Sequence, residues 1–319
     1  MTDDDIRIRV LVDNAKGATG LQSQWGLSFW IETPAARVVL DCGGSGAFLQ
    51  NARRLREPIE AADAFVLSHG HFDHGGGVRE LMDAAPSACL VLHPGALVPR
   101  WSLRKNGKVD PIGLPDRSLA ALRAAPGRSV WALAPLEVAP GVWASGPVPR
   151  RHALEEAERT FFLDTACTIR DHVVDDQAAW IETPVGLVVL CGCAHSGVMN
   201  TVQHVRETVA ARAAVAGADD PVVPVAADGF PVVRALLGGM HLLQARKERL
   251  QATVACLEAL DLELCAPCHC TGKRATSLLR ERLPEAFAEI VTGRELRLAY
   301  STRRPQRSLG RRTTEAWSE

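Results

Sequence analysis

Two segments of the chain repeat the same order of apolar and polar positions. Residues 30–34 read Trp-Ile-Glu-Thr-Pro, and the same five residues recur at 180–184. Each copy precedes an apolar, β-branched run, at 37–40 and at 187–190. This pattern predicts a strand, a proline-containing hairpin turn and a second, buried strand. Five identical consecutive residues indicate two pseudo-equivalent halves.

The remaining elements follow from the periods of about 2 in strands and about 3.6 in helices. Further strands are predicted at residues 6–13, 64–68, 89–93, 140–145, 234–238 and 263–268. Helices are predicted at residues 46–56, 76–84, 117–124, 196–215, 243–259 and 272–282. Strands that alternate with helices predict an α/β protein in which sheets are flanked by helices.

The 319 residues can form one large domain or two small ones. We predict a single domain over residues 1–300. Residues 94–160 are rich in Pro, Gly and Arg, which predicts an insertion that covers the site, and residues 212–231 predict a loop. Residues 301–319 lack apolar periodicity, so we predict a flexible tail there.

Charge and composition favour a small-molecule substrate. The chain has 36 basic and 37 acidic residues and a net charge of −1, so no overall field attracts nucleic acid or an anionic membrane. The acidic N-terminus does not resemble a signal peptide, and no apolar run approaches the roughly 18 residues of a membrane span. A cytoplasmic location is therefore predicted. The oligomeric state stays open.

The nine cysteines are an odd number without a regular framework, which predicts reduced thiols. Four of them lie in Cys191-Gly-Cys193 and Cys268-His-Cys270, and Cys265 forms one CxxC pair with Cys268, so the sequence raises a structural zinc site. Because no second CxxC pair accompanies it, the sequence gives this zinc site little support.

The strongest chemical signal follows the strand predicted at 64–68. Three imidazoles and one carboxylate lie within six residues, at His69, His71, Asp73 and His74, followed by three glycines. One residue separates His69 from His71 in an extended segment, so both side chains can face one cation. Asp73 and His74 can hold a second cation or orient the first. The glycines allow a sharp turn close to the site.

This motif resembles the HxHxDH signature of the metallo-β-lactamase superfamily. The two halves resemble its αββα sandwich, in which two mixed sheets are flanked by helices. The resemblance implies a further histidine after the matching strand of the second half, His195, and a last one near a late strand end, His269. It assigns His69, His71 and His195 to a first metal, and Asp73, His74 and His269 to a second.

The sequence departs from the superfamily at one ligand. The superfamily usually adds a bridging aspartate between the last two histidines, but the strand at 232–238 is followed by Gly239, Met240 and His241. His241 is therefore predicted to replace this ligand or to contact a substrate phosphate. The cofactor is predicted to be one or two zinc ions, with manganese or iron as alternatives.

Short segments over residues 8–295 also resemble one branch of the superfamily, the β-ribofuranosylaminobenzene 5′-phosphate synthase-like or dihydropterin-linked proteins. These segments are Asp13-Asn14, residues 26–28, 41–44, 175–177, 191–197, 238–242 and 269–272. The reaction does not carry over with the likeness, because one fold hosts many chemistries.

Zinc held by imidazoles lowers the pKa of its water from about 15.7 toward about 7, which supplies a hydroxide nucleophile at neutral pH. We predict catalytic roles for Asp73, which can align that water or accept its proton, and for His241. Asp41 either orients a ligand histidine or caps the next helix.

Substrate contacts are predicted at four residues besides the metal ligands. Arg150 and Arg151 can clamp an anion or form a solvated surface. Asp176, with Asp175, can line the mouth of the site or form a turn. His241 is the fourth.

Three functions remain open. The first is hydrolysis of a small anionic substrate, a phosphoester, cyclic phosphate or lactone, by metal-bound hydroxide. The second is a transferase that joins an aromatic acid to a phosphoribosyl donor, as the branch implies. The third is an iron-dependent redox or ligand-sensing role, against which His71 argues, since di-iron relatives resemble HxExDH.

Overall fold

The computed structural model describes residues 5–216 and 223–301. The strands are β1 Asp5–Val12, β2 Ser28–Glu32, β3 Arg37–Leu40, β4 Ala64–Val66, β5 Cys89–Leu92, β6 Trp101–Leu103, β7 Val109–Pro111, β8 Ser129–Trp131, β9 Leu136–Ala139, β10 Val142–Ala144, β11 Phe161–Phe162, β12 Ala178–Ile181, β13 Leu187–Cys191, β14 Val233–Gly239, β15 Leu264–Cys268 and β16 Glu295–Ala299. The helices are α1 Ala47–Leu55, α2 Phe72–Gly75, α3 Val78–Ala84, α4 Asp116–Ala124, α5 Val198–Ala216, α6 Lys247–Ala259 and α7 Lys273–Arg282. The predicted tail lies outside the described residues from position 302 onward.

The strands form two large sheets. A seven-stranded sheet has the order β16-β1-β2-β3-β4-β5-β8, and a six-stranded sheet has the order β15-β14-β13-β12-β10-β9. Neighbours β3, β4, β5 and β8 are parallel, as are β13, β14 and β15, while the other pairs are antiparallel. Both sheets are therefore mixed.

The repeated segments form equivalent hairpins, one in each sheet. Trp30 on β2 faces Val39 on β3, and Trp180 on β12 faces Val189 on β13 in the same register. A threonine closes each turn: the Thr183 hydroxyl donates to the carbonyl of Gly186 at 2.6 Å, and Thr33 makes the matching bond at 3.4 Å. The two pseudo-equivalent halves predicted from the sequence thus have the same local structure.

The alternation of side chains along these strands builds four layers. Ile31 and Ile181 point inward and help to form the core between the two sheets. Trp30 points outward against the α1 and α3 layer, and Trp180 points outward against the layer of α5, α6 and α7. Each fully buried large apolar side chain contributes about 1.5–3 kcal/mol. The predicted αββα sandwich is confirmed.

Residues 94–160, the predicted insertion, take part in all three sheets. Strand β8 extends the seven-stranded sheet, and β9 and β10 extend the six-stranded sheet. Strands β6 and β7 pair with β11 in a small sheet outside the two main ones. The strand predicted at 140–145 corresponds to β10, but the hydrophobic pattern did not predict β6, β7, β8 or β11, because two or three residues show no measurable period.

In the part of the chain that the structure describes, no helix has both the length and the hydropathy that a membrane span needs.

Candidate metal centre

The site lies where parallel strands of both sheets end. Asp41 follows β3, His69 comes shortly after β4, His195 follows β13, and His241 and His269 follow β14 and β15. Three of these residues, Asp41, His241 and His269, have positive φ angles of 58°, 46° and 50°. Such left-handed conformations are costly for residues other than glycine and concentrate at functional sites.

The HxHxDH segment folds from an extended stretch into the short helix α2. His71 has extended backbone angles, and Asp73 and His74 lie in α2. Gly76 lies so close to the β3–α1 loop that a Cβ atom there would be 2.3 Å from the carbonyl oxygen of Gly44. The glycines predicted to allow close approach therefore pack directly against backbone.

Three imidazoles form a first candidate ligand group. Nε2 of His69 is 2.9 Å from Nδ1 of His71 and 3.2 Å from Nε2 of His195. All three rings are buried. Burial, followed by the charges of neighbouring histidines and of Arg100, holds the pKa of His69 and His71 well below the usual value, and burial with neighbouring histidines does the same for His195. Neutral imidazole is the form that binds metals.

Asp73, His74 and His269 form a second group beside the first. Nε2 of His269 is 3.1 Å from Nε2 of His74 and 3.4 Å from Oδ2 of Asp73. Burial lowers the pKa of His74, but the carboxylates of Asp41 and Asp73 outweigh it and raise the pKa to about 9. Burial and the charge of His74 lower the pKa of His269 to about 3. The two carboxylates thus favour positive charge here.

Both groups fit a divalent metal ion. The described residues contain buried sets of three donors whose atoms lie within 4.8 Å of one another, including each of these two groups. Ligands of a tetrahedral zinc ion, with Zn–N near 2.0–2.1 Å, lie about 3.3 Å apart, close to the separations found here. Converging imidazole lone pairs repel each other, and a cation between them removes that repulsion.

In three of the candidate ligand histidines, His69, His74 and His269, the nitrogen that faces away from the centre has a protein partner. Nδ1 of His74 is 2.6 Å from Oδ2 of Asp41, and Nδ1 of His269 is 3.0 Å from Oδ1 of Asn14. Nδ1 of His69 is 2.9 Å from the Ser68 hydroxyl, which donates to Asp41 at 2.7 Å. These bonds orient the rings and keep the proton away from the metal side. Asp41 therefore supports a histidine from each group.

A cavity of about 320 Å³ opens above the two groups. Trp25 and Phe161 form part of its wall, with ring centroids 5.3 Å from His269 and 5.1 Å from His71. Ser102, Arg104, Glu158 and Thr160 also line it, so the predicted insertion supplies part of the wall. This volume suits a small molecule.

Arg249, on α6, also lines this cavity. Its Nε and Nη2 atoms are buried and make no hydrogen bond among the described residues. Burying charged donors without partners is costly, so such groups are retained where a ligand satisfies them. Arg104, by comparison, is paired with Asp110 at 2.9 Å.

His241 lies in the cavity wall between the first ligand group and Glu158. Its ring centroid is 4.2 Å from that of His195, and its Nε2 is 3.5 Å from the Glu158 carboxylate. Burial lowers the pKa of His241, but hydrogen bonds to Cys270 and Glu158 raise it to about 9. The hydrogen bond to His241 lowers the pKa of Glu158 to about 2.

The structure does not bring Arg150, Arg151 or Asp176 into this cavity. Arg150 donates to the carbonyl oxygens of His195 and His172, each at 2.6 Å, and Arg151 pairs with Glu207. Asp176 is buried and accepts from the amide of Ser196 at 2.7 Å. The guanidinium of Arg150 thus contacts protein carbonyls beside the metal centre and does not form an anion clamp with Arg151.

Asp175 lies beneath the HxHxDH segment. It accepts from the amide of Gly70 at 2.7 Å and pairs with the buried Arg100, which also contacts Asp171 at 3.2 Å. Arg100 and Asp171 belong to the segments that flank the small sheet. This ion-pair cluster therefore ties the cavity cover to the backbone between His69 and His71.

The sequence did not predict several residues as part of the cavity wall, namely Trp25, Arg104, Glu158, Phe161, Cys193, Arg249 and Cys270. Arg249 is one of many arginines and carries no motif. The sequence raised Cys193 and Cys270 only for a structural zinc site together with Cys265 and Cys268, and these last two are buried in separate cores.

The family comparison agrees with this fold. A family model described as the metallo-beta-lactamase superfamily matches residues 26–168, which include the HxHxDH motif. The chain thus has the metallo-β-lactamase fold, with candidate metal-binding groups at the strand ends. The resemblance to this superfamily is confirmed.

Particular relatives extend the match along most of the chain. A protein of Methanocaldococcus jannaschii named 7,8-dihydropterin-6-methyl-4-(beta-D-ribofuranosyl)-aminobenzene-5'-phosphate synthase is 25% identical over 303 residues, which cover 91% of this chain and 96% of that protein. A solved structure described as a metal-dependent hydrolase of the beta-lactamase superfamily matches with a TM-score of 0.72 and 24% identity, covering 92% of this chain and 99% of that one. A metallo hydrolase from Ignicoccus hospitalis matches with a TM-score of 0.51 and 11% identity, covering 92% and 98%.

Proposed function

We propose that this protein is a metal-dependent hydrolase that acts on a small anionic substrate, a phosphoester, cyclic phosphate or lactone. One observation carries the proposal: two buried ligand groups face a cavity whose wall holds Arg249, and two guanidinium nitrogens of Arg249 make no hydrogen bond within residues 5–216 and 223–301. The imidazole-rich donors favour zinc, as one or two ions, over manganese or iron.

The residues in the cavity divide the chemical work. A metal ion at the two groups would activate water and polarise the scissile phosphoryl or carbonyl group. The Asp73 carboxylate lines the cavity, where it can align a water molecule and accept its proton. The His241 ring, held by Glu158, can donate a hydrogen bond to a substrate oxygen or to the leaving group.

Arg249 supplies the charge that selects an anion. A planar guanidinium suits phosphate or carboxylate oxygens, and Nε and Nη2 of Arg249 make no hydrogen bond to the described residues. A charged hydrogen bond contributes about 1.5–3 kcal/mol, which corresponds to a KM change of roughly 10- to 100-fold.

The first experiment measures p-nitrophenol release from a phosphodiester and from a phosphomonoester by the zinc-loaded protein. We expect metal-dependent hydrolysis that chelation abolishes and zinc restores. Loss of activity in both His69→Ala and His195→Ala, with retained circular dichroism, would support the ligand set. Full activity in either variant would reject it.

Arg249→Ala tests the anion contact. We expect KM to rise roughly 10- to 100-fold with a smaller change in kcat, because the contact is made in the ground state as well. Arg79→Ala is the control, since Arg79 is an exposed arginine on α3 that pairs with Asp83 in its own helix. An unchanged KM in Arg249→Ala would contradict the proposed role.

Phosphoribosyl transfer is the second candidate, favoured by the near full-length match to a protein named as a synthase. It predicts pyrophosphate release from a phosphoribosyl donor only when an aromatic acid is present. Pyrophosphate release without hydrolysis of any model ester would replace the hydrolase proposal. An iron chromophore in the purified protein would instead favour the redox hypothesis.

A further inference from the structure

We propose that the thiolate of Cys193 is an additional metal ligand, at a position between the two candidate ligand groups. The inference rests on the metal centre of the proposed function. It goes beyond that function because neither the HxHxDH motif nor the two ligand groups include a sulfur donor.

The position of the sulfur carries the argument. Cys193 comes directly after β13, and its Sγ lies 3.2 Å from Nε2 of His74, the nitrogen that faces the second group. The donor atoms of Cys193, His74 and His69 all lie within 4.8 Å of one another. Because His69 belongs to the first group and His74 to the second, the sulfur lies within 4.8 Å of a donor atom from each group.

The end of β14 offers no competing side chain. A Cβ atom on Gly239 would lie 2.3 Å from the carbonyl oxygen of Gly192, 2.8 Å from Sγ of Cys270 and 3.1 Å from Cα of Cys193. The backbone after β13 and the Cys270 sulfur therefore fill the space next to this strand end. With no carboxylate at the tip of β14, Cys193 is the donor that reaches between the groups.

Cys270 is held in a different way. Its thiol donates to the carbonyl oxygen of Cys193 at 3.5 Å and accepts from the backbone amide of His241 at 3.3 Å. These bonds join the segments after β13, β14 and β15 and hold Cys193 in place. We therefore assign Cys270 a positioning role.

A thiolate ligand changes the metal preference of the centre. Soft sulfur donors favour zinc or ferrous iron, whereas manganese and magnesium favour oxygen ligands. On binding, the metal replaces the thiol proton of Cys193, which passes to solvent. Metal affinity should therefore be higher for zinc than for manganese, and this difference should shrink when the sulfur is removed.

X-ray absorption spectroscopy of the reduced, zinc-loaded full chain tests the proposal. We expect a sulfur shell at about 2.3 Å beside nitrogen and oxygen at about 2.0–2.1 Å. The shell should disappear in Cys193→Ser and remain in Cys270→Ser. It should also remain in Cys191→Ser, the matched control, because Cys191 is buried against the helices on the other face of β13.

Cobalt substitution gives a second readout that does not depend on activity. The cobalt-loaded wild type should show a near-ultraviolet sulfur-to-metal charge-transfer band, and Cys193→Ser should lack it. If Cys193→Ser does not fold, the X-ray absorption and cobalt spectra of the wild type still show whether a sulfur atom binds the metal. A wild-type centre with only nitrogen and oxygen ligands, or a sulfur shell that persists in Cys193→Ser but is lost in Cys270→Ser, overturns the proposal.

The possible results distinguish metal ligation by Cys193 from the proposed hydrolase function. Sulfur ligation without any hydrolysis would support Cys193 and reject the hydrolase function. Hydrolysis by a centre without sulfur would do the reverse. A chain that binds no metal would overturn both.

Discussion

Asp41 shows how one side chain organises the whole centre. It adopts a left-handed φ of 58°, accepts from the amide and hydroxyl of Ser68, and contacts Nδ1 of His74. Through Ser68 it also supports His69. Of the two roles considered from sequence, the geometry favours orientation of a ligand histidine, because the carboxylate is fully used by Ser68 and His74.

Asp41→Asn should therefore weaken metal binding about 10- to 100-fold while the fold is retained, since the hydrogen bonds behind metal ligands have effects of this size. Competition with a chromophoric chelator measures the affinity. Asp63→Asn is the control, because the exposed carboxylate of Asp63 accepts a hydrogen bond from the amide of Arg37, away from the metal centre. Equal affinities for both variants would show that the contact to His74 is dispensable.

Asp176→Asn should change the pH dependence of stability. Burial raises the pKa of Asp176 from 3.8 to about 6, so folding favours the protonated form. This contribution to stability is complete below about pH 3.8 and is lost as the pH rises through about 6. At 1.36 kcal/mol per pKa unit, the loss is at most about 3 kcal/mol.

The neutral amide of the Asn variant avoids this loss and can still accept from Ser196. We expect Asp176→Asn to gain stability relative to the wild type between pH 4.5 and pH 7.5, with KM unchanged. Urea unfolding of both metal-free proteins at the two pH values measures the difference. A difference that does not vary with pH, or a raised KM, would return Asp176 to the substrate site.

At the scale of elements, glycines set how closely the loops around the site can pack. The loop after α2 touches the β3–α1 loop at Gly76, where a Cβ atom would overlap the carbonyl oxygens of Gly44 and Phe72 at 2.3 and 2.5 Å. Backbone atoms cannot move aside as a flexible side chain can. The end of the short helix α2, which carries Asp73 and His74, is therefore fixed by backbone packing.

Gly76→Ala should lower the free energy of unfolding by about 1–3 kcal/mol, the usual cost of overpacking, and should reduce metal affinity as α2 shifts. Gly127→Ala is the matched control, because a Cβ atom there meets nothing within 4 Å. Thermal and urea unfolding would compare the two. Equal stability of both variants would contradict the packing argument.

At the scale of the whole molecule, the centre joins the two halves. His69, His71, Asp73 and His74 come from the first half, whereas His195 and His269 come from the second. A metal ion bound by both groups therefore stabilises the folded state and not the separated halves. The gain follows mass action, about 2.7 kcal/mol at a free metal concentration 100 times Kd.

Removal of the metal by chelation should lower Tm by about 5 °C or more, since 1 kcal/mol corresponds to roughly 2–4 °C in domains of about 150–250 residues. Differential scanning calorimetry with and without zinc measures the shift. The same treatment should leave the Tm of His69→Ala nearly unchanged. A Tm of the wild type that does not respond to chelation would show that the metal does not link the halves.

Features that depend on neighbouring residues could be predicted from the amino-acid sequence. Alternation at 30–34 and 180–184 predicted the two hairpins and, with the helical periods, the layered α/β architecture. The spacing from His69 to His74 predicted a metal site, because side-chain directions over a few residues follow from backbone geometry. Family resemblance, rather than spacing, pointed to His195 and His269.

The residues on the opposite wall of the cavity could be identified only from the folded chain. Arg249 on α6 and Cys193 after β13 reach the centre because distant strands end at one edge, and no local period encodes that meeting. Arg150 and Asp176 contact main-chain groups at His195 and Ser196 and do not line the cavity. These contacts also depend on how distant segments pack. Chain distance limits sequence reasoning here: contacts between layers depend on how whole sheets pack, whereas the motif depends on six consecutive residues.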